Sequence, residues 1–272
     1  SPLLDIAFSD IDVGTGTVVA TLAVPAGTLA AVSGSGVTVG GTALSRTLTG
    51  TLDDVNAFIA AGGLTYTTVL NSVTPVTLTV TINDNGNAGI DPGTSGTAAN
   101  ETRTSTVNLV VDEVDDAPVN TLLAAYTATE DAVFNITGLA VADVDAGTEV
   151  VIVTLAVGSG TLTSAGNANV SVAGSGTSLL NFTGTLADIN TVLASATATI
   201  RPQFVPPADF NGAVTLTMTT NDAGNSGAGG PLTDVDTRTI SVSAVADIVA
   251  NAATTTEDTA VDILVLVNDT FE

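Results

Sequence analysis

Residues 8–30, FSDIDVGTGTVVATLAVPAGTLA, return at 141–163 as VADVDAGTEVVIVTLAVGSGTLT. Three further blocks recur in the same order and at nearly the same spacing: TGTLDDVNAFI (49–59) with TGTLADINTVL (183–193), INDNGNAG (82–89) with TNDAGNSG (220–227), and ETRTSTVNLVV (101–111) with DTRTISVSAVA (236–246). Ordered recurrence at a near-constant period marks tandem repeats, so the chain holds two related units. A third begins, because TEDA (129–132) returns as TEDT (256–259). Ser1 aligns near Phe134, so the first unit lacks the opening strand of the second. The expected division is 1–116 for a first repeat without its first strand, 117–247 for a complete second repeat, and 248–272 for the opening of a third repeat or a donated strand. The ends at Ser1 and Glu272 read as cuts within something longer.

Within each unit, runs such as VVIVTLAV, TLTVTIND and AVTLTMTTND are rich in Val, Thr and Ile and alternate every two residues. Such residues suit a pleated sheet with one buried face, and clusters of Gly, Asn and Asp supply the turns. Seven or so strands in a unit of roughly 130 residues predict an all-β fold of tandem antiparallel Greek-key β-sandwiches, immunoglobulin-like in type. One segment per unit breaks the period. TLDDV (51–55) and TLADI (185–189) each place a threonine three residues before an acid, the signature of a helix start, so each sandwich should carry one short helical turn. Asp54 and Asp188 then read chiefly as capping acids favoured by the positive end of the helix dipole, with a ligand role as the alternative.

Composition narrows the chemistry. The 272 residues carry 4 Lys+Arg, all arginine, against 28 Asp+Glu, a formal net charge of −24, with no His, Cys or Trp. Only 12% of residues are charged and 44% are hydrophobic, so a core is affordable and the chain is no disordered acidic tail. Without His or Cys there is no Ser-His or Cys-His nucleophile and no ordinary zinc, copper or haem site; without Lys there is no Schiff base. Nucleic acid and acidic membrane surfaces would be repelled. No apolar run reaches the roughly 18–20 residues that cross a bilayer, and no basic-then-apolar signal opens the chain. The absence of cysteine and lysine, with abundant Thr, Val, Ala and Gly, fits an exported surface protein. An inventory of carboxylates suits hard cations with oxygen ligands, calcium above all.

The acid is concentrated in four recurring places: Asp-x-Asp pairs (Asp10 and Asp12; Asp143 and Asp145), Asn-Asp turns (Asp84; Asp222), Glu-Asp pairs (Glu130; Glu257), and the stretch DEVDDAPVN (112–120), matched by SAVADIVAN (243–251). In that order these motifs resemble cadherin repeats and, more closely, the cadherin-like and immunoglobulin-like tandem repeats of giant bacterial adhesins. The likeness covers essentially the whole chain. It implies calcium at the junction between consecutive repeats. For the junction of units one and two it implies Asp115 and Asp116, with Glu113 and Asn120 as further candidates, joined by Asp143, Asp145 and Asp222. Glu130 would serve the opposite end, beside Asp247 and Asn251, while Asp10, Asp12 and Asp84 would face a preceding repeat. The chain departs from the pattern at Asp115, where asparagine is usual, and at Ala246, which replaces an acid. Independently of the resemblance, such crowding of carboxylates is tolerable only with full solvation or a neutralising cation. The competing reading is that Asp, Asn and Gly here are plain turn formers.

Three functions remain open. The first is a calcium-stiffened structural spacer of an extracellular adhesin or fibre, packed against neighbouring repeats. The second is a filament subunit that donates its C-terminal strand head-to-tail. The third is a calcium-dependent glycan-binding module, with a glycan or cell-surface receptor as partner. Few aromatics (2 Tyr, 7 Phe) disfavour the third, and nothing resembles an enzyme pocket. A threonine ladder for ice is a minor option beside ordinary solvated sheet faces. Glu101 and Asp236 each precede an arginine by two residues and are expected to form same-face pairs on the last strand.

Overall fold

Every second side chain of the run Val150–Val157 is buried, and the same alternation shapes both units. The structure, a computed structural model, describes residues 1–10, 13–86, 102–224, 227–246 and 252–262. It divides into Ser1–Asp112 and Glu113–Glu272, which are taken separately below.

The first unit contains β1 (Thr17–Ala23), β2 (Thr28–Ala31), β3 (Thr38–Thr42), β4 (Ser45–Thr51), α1 (Leu52–Ala60), β5 (Leu64–Thr67), β6 (Val76–Asn83) and β7 (Thr102–Leu109). One sheet runs β3-β4-β1-β6-β7, and β2 pairs with β5. Between them lie Val18, Ala20 and Leu22 of β1, Leu48, Leu78, Leu29 and Leu64, closed by Val55, Phe58 and Ile59 of α1. The chain's first residues lie along β5: Pro2 bridges Thr65, and the Leu3 amide donates to the Leu64 carbonyl at 3.1 Å.

The second unit contains β8 (Val119–Thr121), β9 (Tyr126–Thr129), β10 (Phe134–Asn135), β11 (Ala140–Ala142), β12 (Val150–Val157), β13 (Thr161–Thr163), β14 (Ser171–Ala173), β15 (Leu179–Thr185), α2 (Leu186–Leu193), β16 (Gln203–Val205), β17 (Gly212–Asn221) and β18 (Thr233–Ser243). Its large sheet runs β14-β15-β12-β17-β18-β9, opposed by β10-β16-β13, with β8 paired to β11. Pairing is antiparallel except between β18 and β9. The chain leaves the large sheet after β12 for β13, and again after α2 for β16, before β17 returns beside β12, which is the Greek-key path. Phe182, Phe204, Leu155, Leu162, Leu180 and Met218 fill the space between, all fully buried. The expected all-β sandwiches are present. Among the described residues the strand count is seven in the first unit and eleven in the second, because the second unit adds four short strands before β12: β8 and β11 pair with each other, β9 with β18 and β10 with β16.

Each helical element is longer than a turn, at nine and eight residues, and begins as the sequence implies. Thr51 Oγ1 accepts from the Asp54 amide at 3.2 Å and donates to Asp54 Oδ2 at 2.7 Å; Thr185 and Asp188 repeat this at 3.2 and 2.8 Å. Asn169 adds a bond to Asp188 at 3.0 Å, and together with Thr185 it holds the Asp188 carboxyl below its ordinary range. Both acids are thus spent on capping. Within residues 252–262, Glu257 and Asp258 form a turn with no strand beside it. The apolar run 263–267 lies outside the described residues.

Two substitutions separate the terms that hold the second unit. Phe182→Ala should cost about 3–5 kcal/mol through the cavity it leaves, and Thr185→Ala about 1 kcal/mol through the lost cap. Urea denaturation of both variants measures the ratio, and a cap loss as large as the cavity loss would show that α2 is held by its terminus rather than by packing.

Candidate metal centre

The repeated Asp-x-Asp pair lies in the turn between β11 and β12. Asp143 Oδ1 accepts from the amides of Asp145 (3.2 Å) and Ala146 (3.0 Å), an aspartate turn that tightens the loop. Asp145 Oδ2 accepts from the Asp116 amide at 2.9 Å, which ties the turn to the segment entering the unit. The other oxygen of each, Asp143 Oδ2 and Asp145 Oδ1, is buried without a hydrogen-bond partner. Backbone donors therefore aim one oxygen of each carboxylate and leave its neighbour unspent.

Asp115 approaches from the entering segment. Its amide donates to the Ala228 carbonyl (3.3 Å) and the Ala228 amide donates to the Glu113 carbonyl (3.1 Å), with a parallel bridge between Val114 and Ala228. Glycine makes this approach possible: a Cβ on Gly227, whose φ is +73°, would lie 2.6 Å from the Val114 carbonyl carbon, and one on Gly229 would lie 3.2 Å from Asp115 Cβ. Asp115 is 7% exposed, and neither of its carboxylate oxygens has a hydrogen-bond partner. Asp222, 3% exposed, follows β17; its Oδ1 accepts from Gly224 and Leu232, each at 2.8 Å.

Electrostatics confirm the crowding. Burial, then the like charges of Asp222, Asp145, Asp116 and Glu113, push the Asp115 carboxyl above its ordinary 3.8. The Asp143 carboxyl is also raised, chiefly by burial and then by contact with the Asp145 carboxyl, against the lowering effect of its two backbone donors. Two facing carboxylates must share a proton or a cation. Among the described residues no three acidic side chains already close around a point as a finished metal cage. The unspent oxygens of Asp143 and Asp145 lie in one turn, and the charges of Asp145 and Asp222 reach Asp115, so acidic groups from three segments face one region.

The other expected ligands fall as follows. Glu113 and Asp116 are exposed at the rim. Asn120 is committed elsewhere: its Oδ1 accepts from Thr220 at 2.6 Å, its Nδ2 donates to the carbonyls of Asp234 (3.0 Å) and Met218 (3.4 Å), and its amide donates to Asp234 Oδ2 at 2.7 Å. Its side chain fastens β8 onto β17 and β18. Glu130, 2% exposed, lies at the other end of β18, where its Oε1 accepts from the Val245 amide. In the first unit Asp10 Oδ1 accepts from Val13 (3.2 Å) and Asp84 Oδ1 from Gly86 (2.9 Å), matching Asp143 and Asp222. Asp12, Asp247 and Asn251 lie outside the described residues. Asp236 meets Arg238 at 3.5 Å, as its spacing suggests, while Glu101 is outside the described residues. Sequence reasoning passed over Asp234, although its period-2 register with the buried Ile240 marked it as inward-facing.

No protein-family model matches the chain, and no curated protein matches it. Among solved structures it is similar to mouse cadherin-23 EC22-24 at 15% identity and a TM-score of 0.36, covering 87% of this chain and 56% of that one. It is similar to human mucin-like protocadherin EC1-2 at 14% identity and a TM-score of 0.30, covering 89% and 91%. The S-layer protein SbsC domains 4 and 5 match at 15% identity and a TM-score of 0.23, covering 66% and 62%. No helix among the described residues is long and apolar enough to cross a membrane.

The raised carboxyls have a defined pH consequence. Between 3.8 and the raised native values the metal-free native chain binds more protons than the unfolded chain. The stabilising contribution is therefore full below 3.8 and lost as pH rises through the native values. The lowered Asp188 carboxyl acts oppositely but below 3.8, outside this window. In chelator, melting temperature should rise as pH is lowered from about 7 towards about 4. Asp115→Asn should raise it at neutral pH, with the gain vanishing towards 3.8; thermal melts across this range decide, and a falling wild-type curve contradicts the crowding.

Proposed function

We propose that the chain is a calcium-stiffened structural repeat of an extracellular adhesin or surface fibre, a spacer with no enzymatic role. The single observation that carries this reading is the set of buried, unspent oxygens on Asp115, Asp143 and Asp145. Burying ionised carboxylates without partners is costly, and a cation reverses the sign of that cost. Calcium fits the donor set because it takes 6–8 oxygens in loose geometry, so carboxylates from separate loops can share it with carbonyls and water. Asp115, Asp143, Asp145 and Asp222 would hold it, with Glu113 and Asp116 at the rim. The bound ion supplies positive charge that draws these oxygens together.

The mechanical consequence follows from which segments are tied. Asp115 belongs to the segment formed by the first residues of the second unit, directly after Asp112, the last residue of the first, and Asp143, Asp145 and Asp222 belong to turns within the second. A cation shared among them pins that segment to the rest of the second unit and shortens the free linker, which stiffens a string of repeats. Glu130, with Asp247 and Asn251 beyond it in sequence, would serve the next junction.

Head-to-tail strand exchange is a second reading, favoured by one contrast. β18 has β9 beside it in parallel register, whereas β7 is exposed along most of its length, with Val107 at 41% against 5% for its counterpart Val242. A Thr-Glu-Asp segment such as 256–258 resembles the end of β9 and could add to that edge. Sedimentation of a chain lacking residues 252–272 tests it: unchanged self-association removes this reading.

Calcium at about 100 times Kd should stabilise the native chain by about 2.7 kcal/mol, and EDTA should reverse this. Asp115→Asn, stabilising in chelator, should become destabilising relative to wild type in millimolar calcium. Small-angle scattering should show a narrower spread of lengths with calcium. Identical melting curves and scattering profiles with and without the ion would overturn the calcium reading.

A further inference from the structure

We propose that Asn190 is a positioning residue of the carboxylate centre, so that α2 sets the geometry in which Asp143 and Asp145 meet a cation; the inference rests on the calcium reading above. Asn190 Oδ1 accepts from the Val141 amide at 2.9 Å, and its Nδ2 donates to the Val141 carbonyl at 2.8 Å. One planar amide thereby saturates both backbone groups of the residue two positions before Asp143. Asparagine suits this role because it carries a donor and an acceptor on one short side chain, whereas aspartate would set a carboxylate against the carbonyl.

The clamp acts as a surrogate strand. On its other edge Val141 is in register with Asn120 of β8, which is itself fastened to Thr220, Met218 and Asp234. β11 is therefore gripped from the sheet on one side and from the helix on the other, and the Asp-x-Asp turn springs directly from its end.

The first unit repeats the arrangement. Asn56 Oδ1 accepts from the Phe8 amide at 2.8 Å and its Nδ2 donates to the Phe8 carbonyl at 2.9 Å, two positions before Asp10. Asp10 Oδ1 still receives the Val13 amide at 3.2 Å. The same amide clamp thus stands two positions before Asp10 and two positions before Asp143. Asparagine is a poor mid-helix residue, so its place in both helices comes at some loss of helix propensity.

The test measures calcium affinity by titration calorimetry, with melting temperature in chelator and in calcium, on the full chain carrying Asn190→Asp or Asn56→Asp. Asn190→Asp should weaken affinity at the site abolished by Asp115→Asn by at least about tenfold and shrink the calcium-induced rise in melting temperature. Asn56→Asp removes the same donor in the first unit and should leave that site's affinity unchanged. If Asn190→Asp lowers the melting temperature equally in both conditions and leaves affinity intact, the clamp is merely structural and the proposal falls. Hydrogen exchange on the unsubstituted chain gives a test that needs no folded variant: the Val141 amide should be protected in chelator, and an unprotected amide overturns the proposal. Absence of calcium binding by the unsubstituted chain overturns the calcium reading itself, and the clamp's role with it.

Discussion

A carboxylate withdrawn from water keeps its charge only where hydrogen bonds or an opposite charge replace the lost solvation. In the second unit this constraint falls on Asp115. Its two oxygens are buried without donors, and every influence on it, burial first and then four neighbouring acids, raises its proton affinity. The chain has only four basic side chains, and Arg238 is turned to Asp236. The geometry around Asp143, Asp145 and Asp222 follows from the same difficulty: each spends one oxygen on backbone amides, so a rigid loop forms, while charge accumulates towards a common region.

The sandwich supplies what such loops cannot supply for themselves. β12, β17 and β18 form a stiff floor in long antiparallel register, and the acid-bearing turns leave from its ends. Around that floor, side chains do the work of missing strands. Asn120 ties β8 to β17 and β18, Asn190 ties β11 to α2, and the bridge from Val114 to Ala228 brings in the segment that carries Asp115. Gly227 and Gly229 allow that bridge because no Cβ stands between two backbones in contact. Part of the net charge of −24, at first only a reason to exclude anionic partners, is gathered around Asp115.

Much of this was legible in the order of residues. A two-residue period in VVIVTLAV and AVTLTMTTND selects a strand with one buried face, because successive side chains on extended chain point to opposite sides. Thr-x-x-Asp at 51–54 and 185–188 selects a helix start, because the threonine hydroxyl accepts from the amide of the acid and donates to its carboxylate. Recurrence of the Asp-x-Asp and Asn-Asp motifs identified the turns that carry Asp143, Asp145 and Asp222. These are short-range effects, carried by neighbours in the chain. What the order of residues left open was which polar side chains crowd around Asp115 and which hold the scaffold. Asn120 had a ligand's residue type and proved to be a fastener, and Asn190, inside a recurring block, gave no sign of its partner. Each hydrogen-bonds backbone far away in sequence, Asn190 to Val141 and Asn120 to Met218 and Asp234. Such contacts depend on how β8, β11 and α2 pack around the core, and only the tertiary structure decides that, because an amide is satisfied by whichever backbone the fold brings within about 3 Å.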